Sequence, residues 1–297
     1  MAEDAFTEHR PLLFTIAYEM LGSATDAEDV LQESYLRWSA VDPAVVGHPR
    51  AYLVRLVTRQ ALNHLRAARA RREDYVGMWL PEPIRTAPGV SDDVILAESV
   101  SMAMLLVLET LNPTERAVFV LHEVFGYPHA EIAVSVGKSE AAVRQIAHRA
   151  RRHVHARRRR HEPGTDATGI VQRFLSAAAT GEVQALMDLL APDVVVISDG
   201  GGKAAAVRRP VTGRAEVARF VLGAYRTGTA AARVEPATYN GMPAARFVTD
   251  GGLGWLVAFE IHDGRITGLY GMRNPDKLHH ADAVRTLDRG GPPPWKP

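Results

Sequence analysis

Arg144, Gln145, His148, Arg149 and Arg152 recur at helical spacing within YPHAEIAVSVGKSEAAVRQIAHRARR, Tyr127 to Arg152. On a helix capped by Ser139 they share a polar face, and such donors reach phosphate oxygens and base edges in a DNA major groove. Val143 and Ile146 form the inner face of the same helix. Ile132 and Ala133 would pack the helix before it, and Gly137 makes the sharp turn between the two, which is the spacing of a helix-turn-helix. An ordinary helical hairpin with a solvated basic face is the alternative. Turn glycine, apolar spacing and polar stripe all weigh against it.

A second polar stripe, Arg55, Arg59, Asn63 and Arg66, has spacings of four, four and three. These residues share one face of a helix from about Arg50 to Arg72, opposite Val54, Val57, Ala61, Leu65 and Ala68. Trp38 and Tyr52 flank the preceding loop, and aromatics beside basic side chains suit unstacked, single-stranded bases. A solvated face is an equal reading of this stripe taken alone. Upstream, Asp26, Glu28, Asp29, Gln32 and Glu33 give an acidic helix, though the helix dipole by itself favours acids near a helix start. Thr25 to Glu28 reads as its capping box.

Three short motifs lie outside these stripes. SDGGGK, Ser198 to Lys203, invites a phosphate-loop reading, but a P-loop needs a further glycine, Ser or Thr after the lysine, and a helix starting there. Ala204 follows Lys203, and the next helix waits until about Arg214. Gly200, Gly201 and Gly202 are therefore expected to let the chain leave the strand VVVIS in a backbone conformation closed to other residues. That would present Asp199 and Lys203 to a neighbouring surface, the N-terminal half being the nearest candidate. In WLPEP, Pro81 and Pro83 hold Leu80 and Glu82 extended, and Trp79 is an anchor of the kind that dominates interfaces; a rigid spacer is the alternative. In NPDKL, Asn274 caps a helix with Pro275 in its first turn, leaving Asp276 and Lys277 exposed ahead of Leu278; a simple chain stop is the alternative. Asp193, Asp199, Tyr239 and His262 are the candidate acid or base groups of the C-terminal half. No pair among them has a spacing that demands chemistry, and no histidine pair finds a third metal ligand.

The elements behind these residues change character along the chain. Helical patterns run to about Arg160, broken by the Pro- and Gly-rich stretch Tyr75 to Val90. Ser91 is a candidate cap for a third helix, and Asn112, Pro113 and Glu115 open a fourth. After HEPGTDATG come helices over about Thr168 to Thr180 and Glu182 to Leu190, then VVVIS and a helix over about Arg214 to Tyr225. Strand-like runs follow, punctuated by Asn240-Gly241, Asp250-Gly251 and Asp263-Gly264. This order predicts an α+β domain in which a curved sheet wraps helices, followed by a short helix and a disordered tail.

Residues 1–167 carry 20 basic and 22 acidic side chains, so neither half is a basic domain in bulk. The charge is segregated locally instead: eight arginines stand against the single acid Glu140 between Ser139 and Arg160. The absence of cysteine excludes disulfides, iron-sulfur clusters and thiolate zinc sites. Neither a secretory n-region nor a membrane-length apolar run is present, so a cytoplasmic protein without a membrane partner is expected.

In order, DAEDVLQESYLRW, HPRAYLVRLVTRQALNHLR, a linker and LNPTERAVFVLHEVFGYPHAEIAVSVGKSEAAVRQIAHRARR resemble an extracytoplasmic-function sigma factor of the sigma-70 family over about Phe6 to Val154. The resemblance implies that the acidic helix binds bacterial core RNA polymerase. It implies that the Arg55 to Arg66 stripe with Trp38 and Tyr52 opens and reads the minus-10 element of promoter DNA, and that the Ser139 to Arg152 stripe reads the minus-35 element. Many members carry Asn and Asp four residues apart on the minus-10 helix where this chain has Arg59 and Asn63, so their base preference does not transfer.

The C-terminal half resembles a SnoaL-like domain of the nuclear-transport-factor-2-like superfamily, whose cones often enclose a pocket. WLPEP, DGGGK and NPDKL together resemble the SigJ type of such fusions. The implied architecture is two all-α sigma domains, at 1–73 and 91–160, joined by a linker at 74–90. A SnoaL-like regulatory cone at 168–273 and a motif-bearing tail at 274–297 follow. The implied protein is a transcription initiation factor regulated in cis, with neither a catalytic site nor a cofactor. A cone that senses a small-molecule ligand or acts as a second enzyme is the alternative, and a plain helix-turn-helix repressor is a third class.

Overall fold

A computed structural model of the protein describes residues 2–42, 45–73, 75–86, 93–157, 166–228 and 232–290. Ser91, expected to cap a helix, and the terminal PPPWKP lie outside the described residues. Along the chain run helices α1 (Ala2–Leu21), α2 (Ala24–Ser39) and α3 (Pro49–Glu73), then strand β1 (Arg85–Thr86). Helices α4 (Val94–Ser99), α5 (Met102–Glu109) and α6 (Pro113–Phe119) follow, the last continued by a π-helical turn at Val120–Val124. Next come α7 (His129–Val136), α8 (Glu140–His155), α9 (Ala167–Thr180) and α10 (Val183–Leu189). The remainder is β2 (Leu190–Asp199), β3 (Val211–Thr212), α11 (Arg214–Gly228), β4 (Arg233–Tyr239), β5 (Met242–Thr249), β6 (Gly252–His262), β7 (Arg265–Met272), α12 (Pro275–Leu278) and β8 (Val284–Arg285).

The chain divides into two compact units, each assembled from separated segments. One holds Met1–Asp74, Met104–Arg158 and Thr286–Pro297; the other holds Tyr75–Ala103 and Arg159–Arg285.

In the first unit, α1, α2 and α3 pack together: α2 and α3 each bury one apolar stripe, while α1 is buried on every side from Leu12 to Leu21. Ala27, Val30 and Leu31 of α2 and Val54, Val57 and Ala61 of α3 are all buried. The expected capping box at Thr25 does not form. Gly22 takes a positive φ of 67° and turns the chain sharply after α1. Ser23 is thereby set in extended backbone and caps α2 instead, its Oγ accepting from Asp26 N at 3.0 Å. The expected box at Asn112 does form, with its side chain accepting from Glu115 N and the Glu115 carboxylate accepting from Asn112 N. Gly137, at φ 68°, ends α7, and Ser139 caps α8. The buried guanidinium of Arg116 ties α6 to α1 by donating from Nε to the Glu19 carbonyl oxygen at 2.9 Å, and it also meets the Glu109 carboxylate. Asp288 and Arg289 join this unit too. Asp288 N donates to Thr15 Oγ1 at 3.0 Å, and Arg289 Nη1 donates to Val124 O at 3.0 Å. The expected disorder after α12 is thus corrected as far as Gly290, because β8 and these bonds hold the chain.

The second unit is built on one eight-stranded sheet in the order β3-β2-β7-β6-β5-β4-β1-β8. On one face α9 and α11 cover Val194, Val196, Phe247, Phe259 and Leu269. Alternate residues of the same strands, among them Leu256, Ala258, Tyr270 and Met272, are equally buried on the other face. The described residues of Tyr75–Ala103 belong to this unit, with β1 extending the sheet beyond β4. Arg85 pairs with Tyr239, and Met102 N donates to Met242 Sδ at 3.4 Å. The third helix expected after the linker is therefore two short ones: α4, capped by Asp93, lies in the second unit, and α5 leads back into the first.

Candidate functional site

Asp199, the last residue of β2, is fully buried. Its Oδ1 accepts from Tyr75 Oη at 2.6 Å and from Gly201 N at 2.9 Å, while Oδ2 accepts from Leu80 N at 2.9 Å and Lys277 Nζ at 2.8 Å. A buried carboxylate needs this density of donors to offset the loss of water. Lys277 also donates to the Leu80 carbonyl oxygen at 2.6 Å, and its ammonium stands 4.5 Å from the Trp79 ring and 4.8 Å from the Tyr75 ring. Its side chain is only 10% exposed, which corrects the expectation of an exposed lysine. Asn274 donates from Nδ2 to Tyr75 Oη at 2.8 Å and caps α12 by accepting from Asp276 N. Burial first, and then the Asp199 carboxylate, push the Tyr75 phenol well above its ordinary range.

WLPEP, DGGGK and NPDKL thus meet in one cluster of the second unit, with Asp199 at its centre. Each glycine of DGGGK has a distinct reason. A Cβ on Gly200 would lie 2.1 Å from the Ala204 carbonyl oxygen. One on Gly201, at φ 58°, would lie 2.3 Å from the Asn274 amide, and one on Gly202, at φ 72°, would press on Val76. Lys203 is exposed and pairs with Asp276 at 2.6 Å, so it braces the loop against α12. Leu80, Pro81 and Pro83 are buried and Glu82 is half-buried. Of NPDKL, Leu278 is buried and Pro275 exposed.

Two members of this arrangement escaped sequence reasoning. Tyr75 looked like part of a featureless linker. Asn240 was read as half of a turn dipeptide, and its φ of 54° does make that turn. Its side chain is fully buried, however, accepting from Ile84 N at 3.1 Å and donating to Val100 O at 2.8 Å. The turn between β4 and β5 therefore grips the linker backbone at Ile84 and the end of α4 at Val100. An asparagine forced to αL is the only available signal, and it points to the turn alone.

A cavity of about 890 Å3 opens between the other face of the sheet and helices α9 and α11. Phe174, Phe220, Phe247, Trp255 and Phe259 contribute aromatic walls. None of the expected acid or base candidates lines it: Asp193 is exposed, Asp199 belongs to the linker cluster, and His262 pairs with Asp263 at 3.2 Å. Tyr239 donates its hydroxyl to Ala281 O at 2.7 Å, and burial raises its pKa. Glu216, at the cavity wall, is paired with Arg219 at 2.6 Å.

In the first unit, α8 presents Arg144, Gln145, His148, Arg149 and Arg152 to solvent. Arg144 pairs with Glu140 at 2.7 Å, and Arg149 stands 3.8 Å from Glu115. Such exposed pairs are weak and yield readily to a phosphate. On α2, Asp29, Gln32 and Glu33 are exposed and Asp26 and Glu28 half-exposed, with Glu28 meeting Arg10 and Glu33 accepting from Gln60 Nε2 at 2.7 Å. Leu36, 63% exposed, adds an apolar element one turn beyond this acidic face that the charge pattern had hidden. Trp38 is fully buried, a correction to its expected place beside the bases. It forms the floor beneath Tyr52, their rings 5.5 Å apart. Arg55 stands over Tyr52 and shares a recess with Glu131, whose carboxyl is raised by burial against the pull of Arg55. Arg59 donates from Nη2 to the Val134 carbonyl oxygen of α7 at 2.9 Å, while Asn63 and Arg66 are exposed.

Residues 5–71 match the family model described as Sigma-70 region 2, and residues 101–154 match Sigma-70, region 4. Over 293 residues the chain is 38% identical to the ECF RNA polymerase sigma factor SigJ of Mycobacterium tuberculosis, covering 94% of this chain and 93% of that relative. It is 31% identical over 300 residues to the probable ECF RNA polymerase sigma factor SigI of the same organism, covering 97% of each. The crystal structure of M. tuberculosis SigJ superposes with a TM-score of 0.76 at 35% identity, over 93% of this chain and 98% of that one.

Proposed function

The chain belongs to the extracytoplasmic-function sigma factors of the sigma-70 family, and from that membership we propose that its C-terminal cone regulates transcription initiation in cis by anchoring the linker between the two sigma regions. The protein binds core RNA polymerase through the acidic face of α2 and Leu36. It reads the minus-35 element with α8 and melts the minus-10 element with α3 and Tyr52. It acts in the cytoplasm, at the nucleoid when in holoenzyme, as a non-enzymatic factor.

The observation that carries the regulatory reading is the clustering of Tyr75, Trp79 and Leu80 on Asp199 and Lys277. Region 2 and region 4 lie on either side of this linker in sequence, and both belong to the first unit, where Arg59 is held by α7. Promoter elements named for positions 25 base pairs apart are about 85 Å apart at roughly 3.4 Å per step. The α3 face must therefore leave α7 to work, and an immobilised linker opposes that separation. Trp79→Ala tests this with purified core polymerase. Higher promoter-specific output supports the reading; unchanged output together with an unchanged scattering profile opposes it.

A further inference from the structure

Resting on that regulatory reading, the geometry points to the cone cavity as the binding site of an aromatic organic anion whose capture by Arg273 is felt by the linker through a single strand. Two observations fix the ligand class. The walls are aromatic and aliphatic, with Phe247 and Trp255 stacked at 4.7 Å and 10°, so they take a flat, ring-bearing body. The charged groups on the wall are Glu216, Arg219 and Arg273. Glu216 and Arg219 pair with each other and are both largely exposed, so solvent screens their charges. Arg273 has no carboxylate partner among the described residues; it is half-buried, with its guanidinium 5.1 Å from the Trp255 ring. A positive group over an aromatic wall, in a cavity lined mainly by apolar side chains, selects a negative ligand. Ser198 adds a donor, because its oxygen already accepts from Val207 N at 2.9 Å and no described residue takes its hydroxyl proton.

The coupling follows from strand alternation. Ser198 and Arg273 face the cavity; their immediate neighbours Asp199 and Asn274 face the linker cluster. Arg273 N and Asn274 N both donate to the Asp199 carbonyl oxygen, at 2.8 and 2.9 Å. A shift of Arg273 toward an anion therefore moves the backbone that holds Asp199 and Asn274, the residues on which Tyr75 and Leu80 depend.

The test uses the full chain and two fluorescent probes that share one ring system, anionic 8-anilinonaphthalene-1-sulfonate and neutral N-phenyl-1-naphthylamine. Both should bind at one saturable site, and Ala178→Trp, which fills the cavity, should abolish both. Arg273→Gln should weaken the sulfonate about tenfold and leave the neutral amine within about twofold. Saturating sulfonate should change hydrogen exchange at the Leu80 amide in the parent protein and not in Arg273→Gln. Equal loss of both probes in Arg273→Gln, or sulfonate binding that survives Ala178→Trp, overturns the site, provided thermal melts show both variants folded. Arg273-dependent binding with unchanged Leu80 exchange overturns the coupling. The regulatory reading stands or falls separately, because Trp79→Ala tests it with no ligand present.

Discussion

Lys277 Nζ lies 2.8 Å from Asp199 Oδ2 and 2.6 Å from the Leu80 carbonyl oxygen, so one ammonium joins the NPDKL motif to both the DGGGK loop and the WLPEP linker. The same carboxylate oxygen accepts from Leu80 N, which makes Leu80 a residue held at both its amide and its carbonyl. Removing either charge leaves the other buried without its partner.

Lys277→Met should accordingly cost the second unit about 3–5 kcal/mol, and Asp199→Asn a similar amount. The double variant should cost less than the sum of the two, because a neutral pair has no buried charge left to satisfy. Native-state hydrogen exchange at the Leu80 amide reads this directly; additive losses would contradict the pairing.

Gly201 of the loop and Gly213, which precedes α11, both take positive φ and together separate backbone strain from contact. Gly213, at φ 89° with open space around its Cβ position, sets the cost of φ alone, about 1–2 kcal/mol on substitution by alanine. Gly201→Ala should exceed that, since its Cβ would collide with the Asn274 amide. Thermal unfolding of the two variants gives the comparison, and equal losses would remove the steric argument.

Alkaline pH should loosen the linker through Tyr75. Its phenol is raised by burial and by Asp199, so the folded protein keeps a proton that the unfolded chain releases near pH 10. The stabilisation is fully present below about pH 10 and is lost as pH rises beyond it toward the folded pKa. Tyr75→Phe should flatten this alkaline decline relative to the parent protein in unfolding experiments. Identical slopes would place the titration elsewhere.

On α8, Gln145→Ala should alter promoter choice at the minus-35 element, at about 1–3 kcal/mol for a lost base contact. Arg152→Ala should instead lower output from all promoters alike and reduce the salt dependence of binding. Output from a promoter library distinguishes them; indistinguishable patterns would deny α8 any base reading.

The helical half was legible because its signals are local. The Asn112 capping box, Gly137 and the apolar spacing of Val143 and Ile146 each fix structure within a turn or two. Trp38 misled for the opposite reason: an aromatic beside a basic stripe looks the same in sequence whether it faces solvent or forms the floor under Tyr52. The three motifs of the linker, loop and tail could be singled out, yet their meeting point could not, since Tyr75 and Asn274 are 199 residues apart in sequence. Lys277 looked exposed because nothing near it in sequence carries the two rings and the carboxylate that enclose it. Asn240 shows the same limit. Its turn role is written in the dipeptide, while its grip on Ile84 and Val100 depends on tertiary placement alone.

Restraint of the sigma regions by an anchored linker is open to direct test. The measurement is promoter-specific transcription by core polymerase with Lys277→Gln, with hydrogen exchange at Leu80 recorded on the same preparation. Release of the linker should give faster exchange at Leu80 and output raised about fivefold or more. A released Leu80 amide with output equal to that of the parent protein would contradict it.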